Sequence, residues 1–285
     1  MDEVRSQMHA VLDVAFGAGI RWFDAARSYG RSEAFLREWL DARAVPPGAV
    51  TVSSKWGYRY VGAWRLLAER HEVKDHSAAA LREQLAETRA ILGAHLALYQ
   101  IHSATLDTGV LDDPAVLDLL AEARDGGLKV GLSVSGPGQA ATVRRALEVR
   151  RAGAPLFSAV QATWNPLEPS AAGALADAHA AGLTVIVKEA LANGRLGPRG
   201  DAGRAGPLSE IAMAAGTGPD VVALAAALAQ PWADLVLLGA VTIDQLRSNV
   251  RAVDLALPAD AKERLAPLQE DSRAYWARRA ALPWT

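Results

Sequence analysis

The sequence contains no cysteine. Disulfide bonds, thiolate nucleophiles and zinc–thiolate sites are therefore excluded. Net charge is also scarce, because 30 Lys and Arg stand against 32 Asp and Glu, leaving −2. The basic residues are scattered rather than clustered, which removes the electrostatic case for nucleic acid as a partner. The most apolar stretch, 221–241, is interrupted by Gln230, Pro231 and Asp234, so no membrane span is expected. No signal peptide is visible, since Met1-Asp2-Glu3 opens a charged amphipathic segment, and a cytoplasmic protein is expected. There is no clustered set of carboxylates at metal-ligand spacing, so no metal is expected. No interdomain linker and no repeat beyond an alternation of elements is apparent, and a single domain over 1–285 is expected.

What is present is a regular alternation of short apolar runs with amphipathic segments. Hydrophobic periodicity predicts helices over 2–16, 32–44, 76–92, 112–124, 139–150, 170–180, 207–215, 219–229, 243–253 and 259–268. Between them, strands are predicted over 20–24, 50–54, 96–101, 129–134, 157–162, 184–187 and 235–238. A long loop over 56–75 and a tail over 275–285 complete the reading. Strands regularly separated by helices imply parallel βαβ units, and continuous apolar strands such as Leu235-Val236-Leu237-Leu238 imply burial on both faces. A (β/α) barrel is favoured over a doubly wound sheet. The candidate polar residues fall at the ends of many different strands, and no G-x-G-x-x-G follows the first one.

Four of those strand-end residues make chemical sense together. Asp24 ends the first strand, Tyr29 follows in a polar loop, Lys55 ends the second strand and His102 the third. A phenol titrates near pH 10 and needs positive charge nearby to act as an acid–base near neutrality. Lys55 beside Tyr29 would stabilise the phenolate, and Asp24 would keep Lys55 charged and positioned. His102 would orient a carbonyl oxygen or relay a proton. Taken singly, each has an ordinary alternative: an Asp satisfied by turn amides, a packed Tyr, a solvated Lys, a satisfied strand-end His.

The segment Asp24-Ala25-Ala26-Arg27-Ser28-Tyr29-Gly30-Arg31-Ser32-Glu33 resembles the aldo-keto reductase signature D-x-A-x-x-Y-G-x-S-E. Lys55 in Ser53-Ser54-Lys55-Trp56 and His102 in Leu98-Tyr99-Gln100-Ile101-His102-Ser103 match the rest of that family's tetrad, in order. The resemblance implies hydride transfer between a reduced nicotinamide and a carbonyl carbon, with Tyr29 protonating the oxygen, and the reverse oxidation by the same groups. It implies a (β/α)8 barrel of the TIM type. The family's opening hairpin and first strand have no counterpart ahead of the 2–16 helix, so about seven strands are expected.

The resemblance also implies cofactor positions. Gly131-Leu132-Ser133 and Gln161 match the carboxamide-binding segment, and Lys188 stands where the family usually stacks an aromatic ring on the nicotinamide. The segment from Leu191 to Leu196, with Gly194, resembles the loop over the pyrophosphate, whose glycine allows close phosphate approach. Gly239, Thr242, Gln245 and Asn249 fall in the segment for the adenosine end. NADP(H) is the family default. The usual cation for a 2′-phosphate is missing from that segment, though Arg247 and Arg251 could supply one, and NAD(H) stays open. Trp56, Tyr58 and Trp64 in the 56–75 loop are candidates for a wall over a small carbonyl or alcohol substrate, such as an aldehyde, ketone or aldose. A packed lid is the alternative for that loop. A cofactor-binding but non-catalytic regulatory module of the same fold is the alternative for the whole chain, and homo-oligomerisation stays open.

Overall fold

The structure, a computed structural model, describes residues 2–62, 71–203 and 206–282. The described residues divide into two compact units, up to Val160 and from Gln161 to Leu282.

The first unit begins with helix α1 (Asp2–Gly17), and Gly19, at φ +91°, turns the chain into strand β1 (Trp22–Asp24). Helix α2 (Ser32–Ala42) carries the buried Trp39, which packs edge-on against Phe16 of α1 at 5.6 Å and against Phe23 of β1 at 5.3 Å. The indole nitrogen of Trp39 donates to Asp13 Oδ1 at 2.9 Å, and Arg43 holds the same carboxylate. One aromatic side chain thus ties α1, β1 and α2 together. Strand β2 (Thr51–Trp56) is almost wholly buried and pairs in parallel with β1, Asp24 opposite Ser53.

The predicted 56–75 loop contains an antiparallel hairpin, β3 (Tyr58–Tyr60) with β4 (Glu72–Lys74), in which Tyr58 faces Lys74. Gly57, at φ +113°, makes the bend between β2 and β3, and a Cβ there would strike the His76 ring at 2.4 Å. Helix α3 (Ala78–Leu92) is capped by Ser77, which accepts from Ala80 N–H. Strand β5 (Leu96–Ala104) pairs with β2 and with β6 (Lys129–Val134). The β5–β6 register shifts between Ile101 and Ala104, and Ser103 sits at φ +54°. Irregularities of this kind re-aim side chains at strand ends, and here the displaced residues are His102 and Ser103. Helix α4 (Pro114–Asp125), helix α5 (Gln139–Glu148) and a short hairpin, β7 (Arg150–Arg151) with β8 (Ala154–Pro155), lead to strand β9 (Ala159–Thr163). On β6, a Cβ at Gly131 would meet the Ala159 carbonyl oxygen at 2.7 Å, which requires glycine there.

The second unit takes the latter part of β9, then helix α6 (Ala172–Ala180) and strand β10 (Thr184–Lys188). Helices α7 (Pro207–Ala214) and α8 (Pro219–Leu228) follow, each opened by proline. Helix α8 is apolar on nearly all sides because it is buried, and no single described helix is long and apolar enough to cross a membrane. Strand β11 (Leu235–Val236) pairs in parallel with β10. Helix α9 (Ile243–Asn249) and helix α10 (Ala261–Leu265) precede helix α11 (Ser272–Ala280). The last helix occupies the region read from sequence as a tail. Its Tyr275 and Trp276 enter a core with Leu167, Leu196, Leu208 and Leu265, and Asp271 caps it by accepting from Ala274 N–H.

Among the described residues β1-β2-β5-β6 pair in parallel in that order in the first unit and β10-β11 in the second; with β9 these make seven sheet strands, the α/β architecture and the strand number that the alternation implies.

Candidate active site

In the first unit, parallel register brings the strand-end groups together. Asp24 lies opposite Ser53, and Lys55, two residues further on the same face of β2, lies opposite Gln100. Asp24 Oδ1 accepts from Ser53 Oγ at 2.6 Å and from Gln100 Nε2 at 3.3 Å. Its other oxygen pairs with the Lys55 ammonium, which also donates to the Ala25 carbonyl at 2.9 Å. Lys55 is only 1% exposed. Burial works against its charge, but Asp24 and the phenol of Tyr29 outweigh that effect and hold the amine above the usual lysine range. A buried ion pair survives only when further hydrogen bonds satisfy both partners, and Ser53, Gln100 and Ala25 supply them.

The loop that carries Tyr29 extends the β1–β2 pairing. Ala25 N–H donates to Ser53 O, and Arg27 N–H donates to Lys55 O. Arg27 then clamps the loop from its side chain, donating to Glu33 on α2 and to Glu87 on α3, each at 2.5 Å. Glu33 is buried and also accepts from Ser54 Oγ and Thr88 Oγ1. Tyr29 is thereby held with its ring 5.0 Å from the Lys55 ammonium and its hydroxyl 3.4 Å from His102 Nε2. Tyr29 is 48% exposed, whereas Lys55 behind it is buried and the Asp24 side chain keeps only 9% exposure. A phenol reachable by a small molecule thus stands in front of a fixed cation.

His102 is set by its surroundings. Its carbonyl accepts from His76 Nε2 at 2.9 Å. Burial lowers the His76 pKa to about 4, so His76 is neutral and donates from Nε2. The Tyr29 and Tyr58 rings meet the His102 ring edge-on at 5.4 and 4.9 Å. Ser103 N–H donates to Ser133 Oγ at 2.8 Å, which places Ser133 beside the end of β5. Of the three aromatic candidates for a substrate wall, Tyr58 stands against His102. Trp56 is 0% exposed and packs behind, edge-on to His76, so it offers a substrate no surface. Trp64 lies outside the described residues.

In the second unit, Gln161 is buried on β9. Lys188, ending β10, donates to Thr163 Oγ1 at 3.1 Å and lies 3.8 Å from Glu189. Glu189 accepts from Thr163 Oγ1 at 3.0 Å and from two nitrogens of Arg279 on α11. Burial raises the Glu189 carboxyl, but Lys188, Arg279 and Thr163 together bring it below the usual range. Asn165 serves as a hub, donating to Glu189 O and Tyr275 Oη while accepting from the amides of Leu167 and Glu168. Leu191 leads into a turn that reaches Gly194 at φ +87°, followed by Arg195 paired with Glu270 and Asp201.

A Cβ at Gly194 or Gly239 would meet nothing within 4 Å. Thr242 and Gln245 form the capping box of α9, with Gln245 Oε1 accepting from the amides of Val241 and Thr242. Asn249 and Ser248 both donate to the buried carboxylate of Asp220, at 2.9 and 2.8 Å. Among the described residues no group of His, Asp and Glu is arranged to hold a metal.

A model of the aldo/keto reductase family matches residues 4–270. The chain belongs to the aldo/keto reductase family. It is an oxidoreductase of that family, whose members use nicotinamide cofactors. Among solved structures it is similar to the aldo-keto reductase AKR11C1 from Bacillus halodurans in its holo form, with TM-score 0.74, 20% identity and coverage of 93% of this chain and 88% of that one. It is also similar to a protein described as a 2,5-diketo-D-gluconic acid reductase B, with TM-score 0.70, 22% identity and coverage of 94% and 85%. A Pseudomonas aeruginosa protein described as an aldo-keto reductase gives TM-score 0.63, 22% identity and coverage of 92% and 84%. These likenesses show the (β/α)8-type fold. No curated protein matches.

Several residues of this aldo/keto reductase escaped the sequence reading. Arg27 and Glu33 lie inside the recognised motif, but their partners Ser54, Thr88 and Glu87 are distant in sequence. Lys74, Glu189, Arg279 and Asp220 carry no local signature. The T-x-x-Q spacing of Thr242 and Gln245 is itself a helix-start signal, and the structure uses it as one.

Proposed function

We propose that this chain interconverts a carbonyl and an alcohol by hydride transfer, with Tyr29 as general acid and base. The observation that carries the reading is the grouping in one unit of an accessible Tyr29 hydroxyl, the His102 ring at 3.4 Å and a Lys55–Asp24 pair behind the phenol. Such an arrangement moves a proton, and it has no nucleophile–base pair of the acyl-transfer kind.

In the reductive direction a bound reduced nicotinamide supplies the hydride to the carbonyl carbon. His102 orients the carbonyl oxygen toward Tyr29. Tyr29 Oη gives that oxygen its proton, and the tyrosinate left behind is stabilised by the Lys55 ammonium until solvent reprotonates it. Asp24 keeps Lys55 charged and in place. Oxidation of an alcohol runs through the same groups with the proton moving to Tyr29. The carbonyl compound is an aldehyde, ketone or aldose.

For the cofactor, Ser133 on β6 and Gln161 on β9 are each a buried polar side chain of the kind that a carboxamide takes. Leu191 and Gly194 would line the pyrophosphate and Gly239 the adenosine end. The open space at both glycines suits close backbone approach. Thr242 and Gln245 remain candidates through their solvent-facing sides, since their polar groups already cap α9, whereas Asn249 is buried with its amide donated to Asp220 and would have to be uncovered to meet an adenine. Lys188 would lie beside the nicotinamide without stacking. NADP(H) is proposed, with Arg247 and Arg251 as the cations near the 2′-phosphate, and NAD(H) is the alternative that titration separates. The protein is read as a cytoplasmic enzyme.

Titration with NADPH and NADH by fluorescence, followed by an aldehyde panel, tests the reading. Tyr29→Phe is expected to retain cofactor binding and lose roughly 10²–10⁴-fold in kcat. Cofactor binding without turnover, or a rate unchanged by Tyr29→Phe, would overturn it.

A further inference from the structure

We infer that the substrate carries a carboxylate a few bonds from its reacting carbonyl, and that Lys74 receives it. The inference deepens the proposed carbonyl reduction and rests on it. In the β3–β4 hairpin Lys74 stands opposite Tyr58. Its ammonium lies 5.3 Å from the centre of the Tyr58 ring, which also meets the His102 ring at 4.9 Å. Lys74 is therefore no farther from His102 than those two spacings end to end. The same ammonium donates to the carbonyl of Ser103, the residue after His102, at 2.9 Å. The hairpin thus delivers a cation to the edge of the group that would orient the substrate oxygen.

The charge pairing around Tyr29 singles this lysine out. Lys55 is matched by Asp24, Arg27 by Glu33 and Glu87, and Arg59 by Asp75 and Glu83. Lys74 is bound to a neutral carbonyl and a ring face, with no carboxylate in ion-pair contact among the described residues. Lys74 is exposed as a residue, yet the protein around its ammonium desolvates it enough to pull its pKa below the usual lysine range, and Glu72 on the same strand opposes this. A partly desolvated ammonium with hydrogens left to donate gains from an anion more than a solvated one does. The single cation suits a carboxylate. A phosphate dianion is usually met by a guanidinium fork or several cations.

The test compares aldehydes with and without a carboxylate: succinic semialdehyde against butanal, and 4-carboxybenzaldehyde against both benzaldehyde and its neutral near-isostere 4-isopropylbenzaldehyde. The wild type is expected to favour each acid by roughly tenfold in kcat/KM at low salt, through KM, a range typical of hydrogen bonds to charged groups. The preference should shrink as salt is raised. Lys74→Met should bring the ratio close to one, and Lys74→Arg should restore most of it, whereas Tyr29→Phe should lower both substrates and keep the ratio. Turnover of both classes with a ratio of one in the wild type, or a ratio that survives Lys74→Met, overturns this inference and leaves carbonyl reduction standing. Absence of turnover with every aldehyde overturns both.

Discussion

Lys55→Met tests the electrostatic core of the proposed chemistry. The ammonium lies 5.0 Å from the Tyr29 ring with Asp24 as its counter-ion. Two unit charges at that separation, in an effective dielectric of about 20, interact by about 3 kcal/mol. That energy corresponds to roughly two pH units in the titration of the phenol. The cation favours the phenolate, so removing it moves the governing limb of the pH profile upward in both directions of reaction. In the oxidative direction, where the phenolate acts as base, kcat/KM at pH 7 should fall about 100-fold. The assay is a pH series of kcat/KM for alcohol oxidation, with cofactor affinity measured in parallel by fluorescence. Methionine also leaves the largely enclosed Asp24 carboxylate without its counter-ion, though still hydrogen-bonded to Ser53 and Gln100, at a cost of about 3–5 kcal/mol of stability. The double variant Asp24→Asn/Lys55→Met removes both charges, and it serves where the single variant does not fold. A folded variant whose pH limb stays where the wild type has it would refute the reasoning.

Two further predictions concern stability. His76 has a folded pKa of about 4 against an ordinary value of 6.5, so the unfolded chain binds the extra proton between those values. Stability should therefore fall as pH drops from 6.5 towards 4, by up to about 3 kcal/mol, and urea unfolding should show a flatter pH dependence in His76→Gln. Trp276→Ala empties a large side chain from the core beneath α11 and should cost about 3–5 kcal/mol, read as a lowered thermal midpoint.

The tetrad was legible because its members sit in short motifs at strand ends. Asp24 and Tyr29 are five residues apart, and parallel pairing of adjacent strands places Lys55 and Gln100 beside them without further information. The strands themselves read clearly, since burial on both faces demands continuous apolar runs. Strand ends were less legible. Lys55 and Trp56 continue β2 because Gln100 and Ile101 pair with them, and β5 runs on through an irregularity at His102 and Ser103 until Ala104 pairs with Val134. The hairpin of Tyr58 and Lys74 was hidden by its brevity, three residues in each strand. Helix α11 was hidden by its composition: Ser272-Arg273-Ala274-Tyr275-Trp276-Ala277-Arg278-Arg279-Ala280 has only two large apolar side chains, and both are buried.

The sequence by itself determined the alternation of strands and helices, the family and the four residues proposed to move the proton. Those features are local, written in periodicity and spacing. Tertiary structure alone decided which charges are matched. Arg27 finds Glu87 sixty positions away, Arg279 finds Glu189 ninety positions away, and Lys74 finds a carbonyl where its neighbours find carboxylates. Pairing of this kind depends on distances of a few ångströms between groups remote in the chain, and no local pattern encodes it.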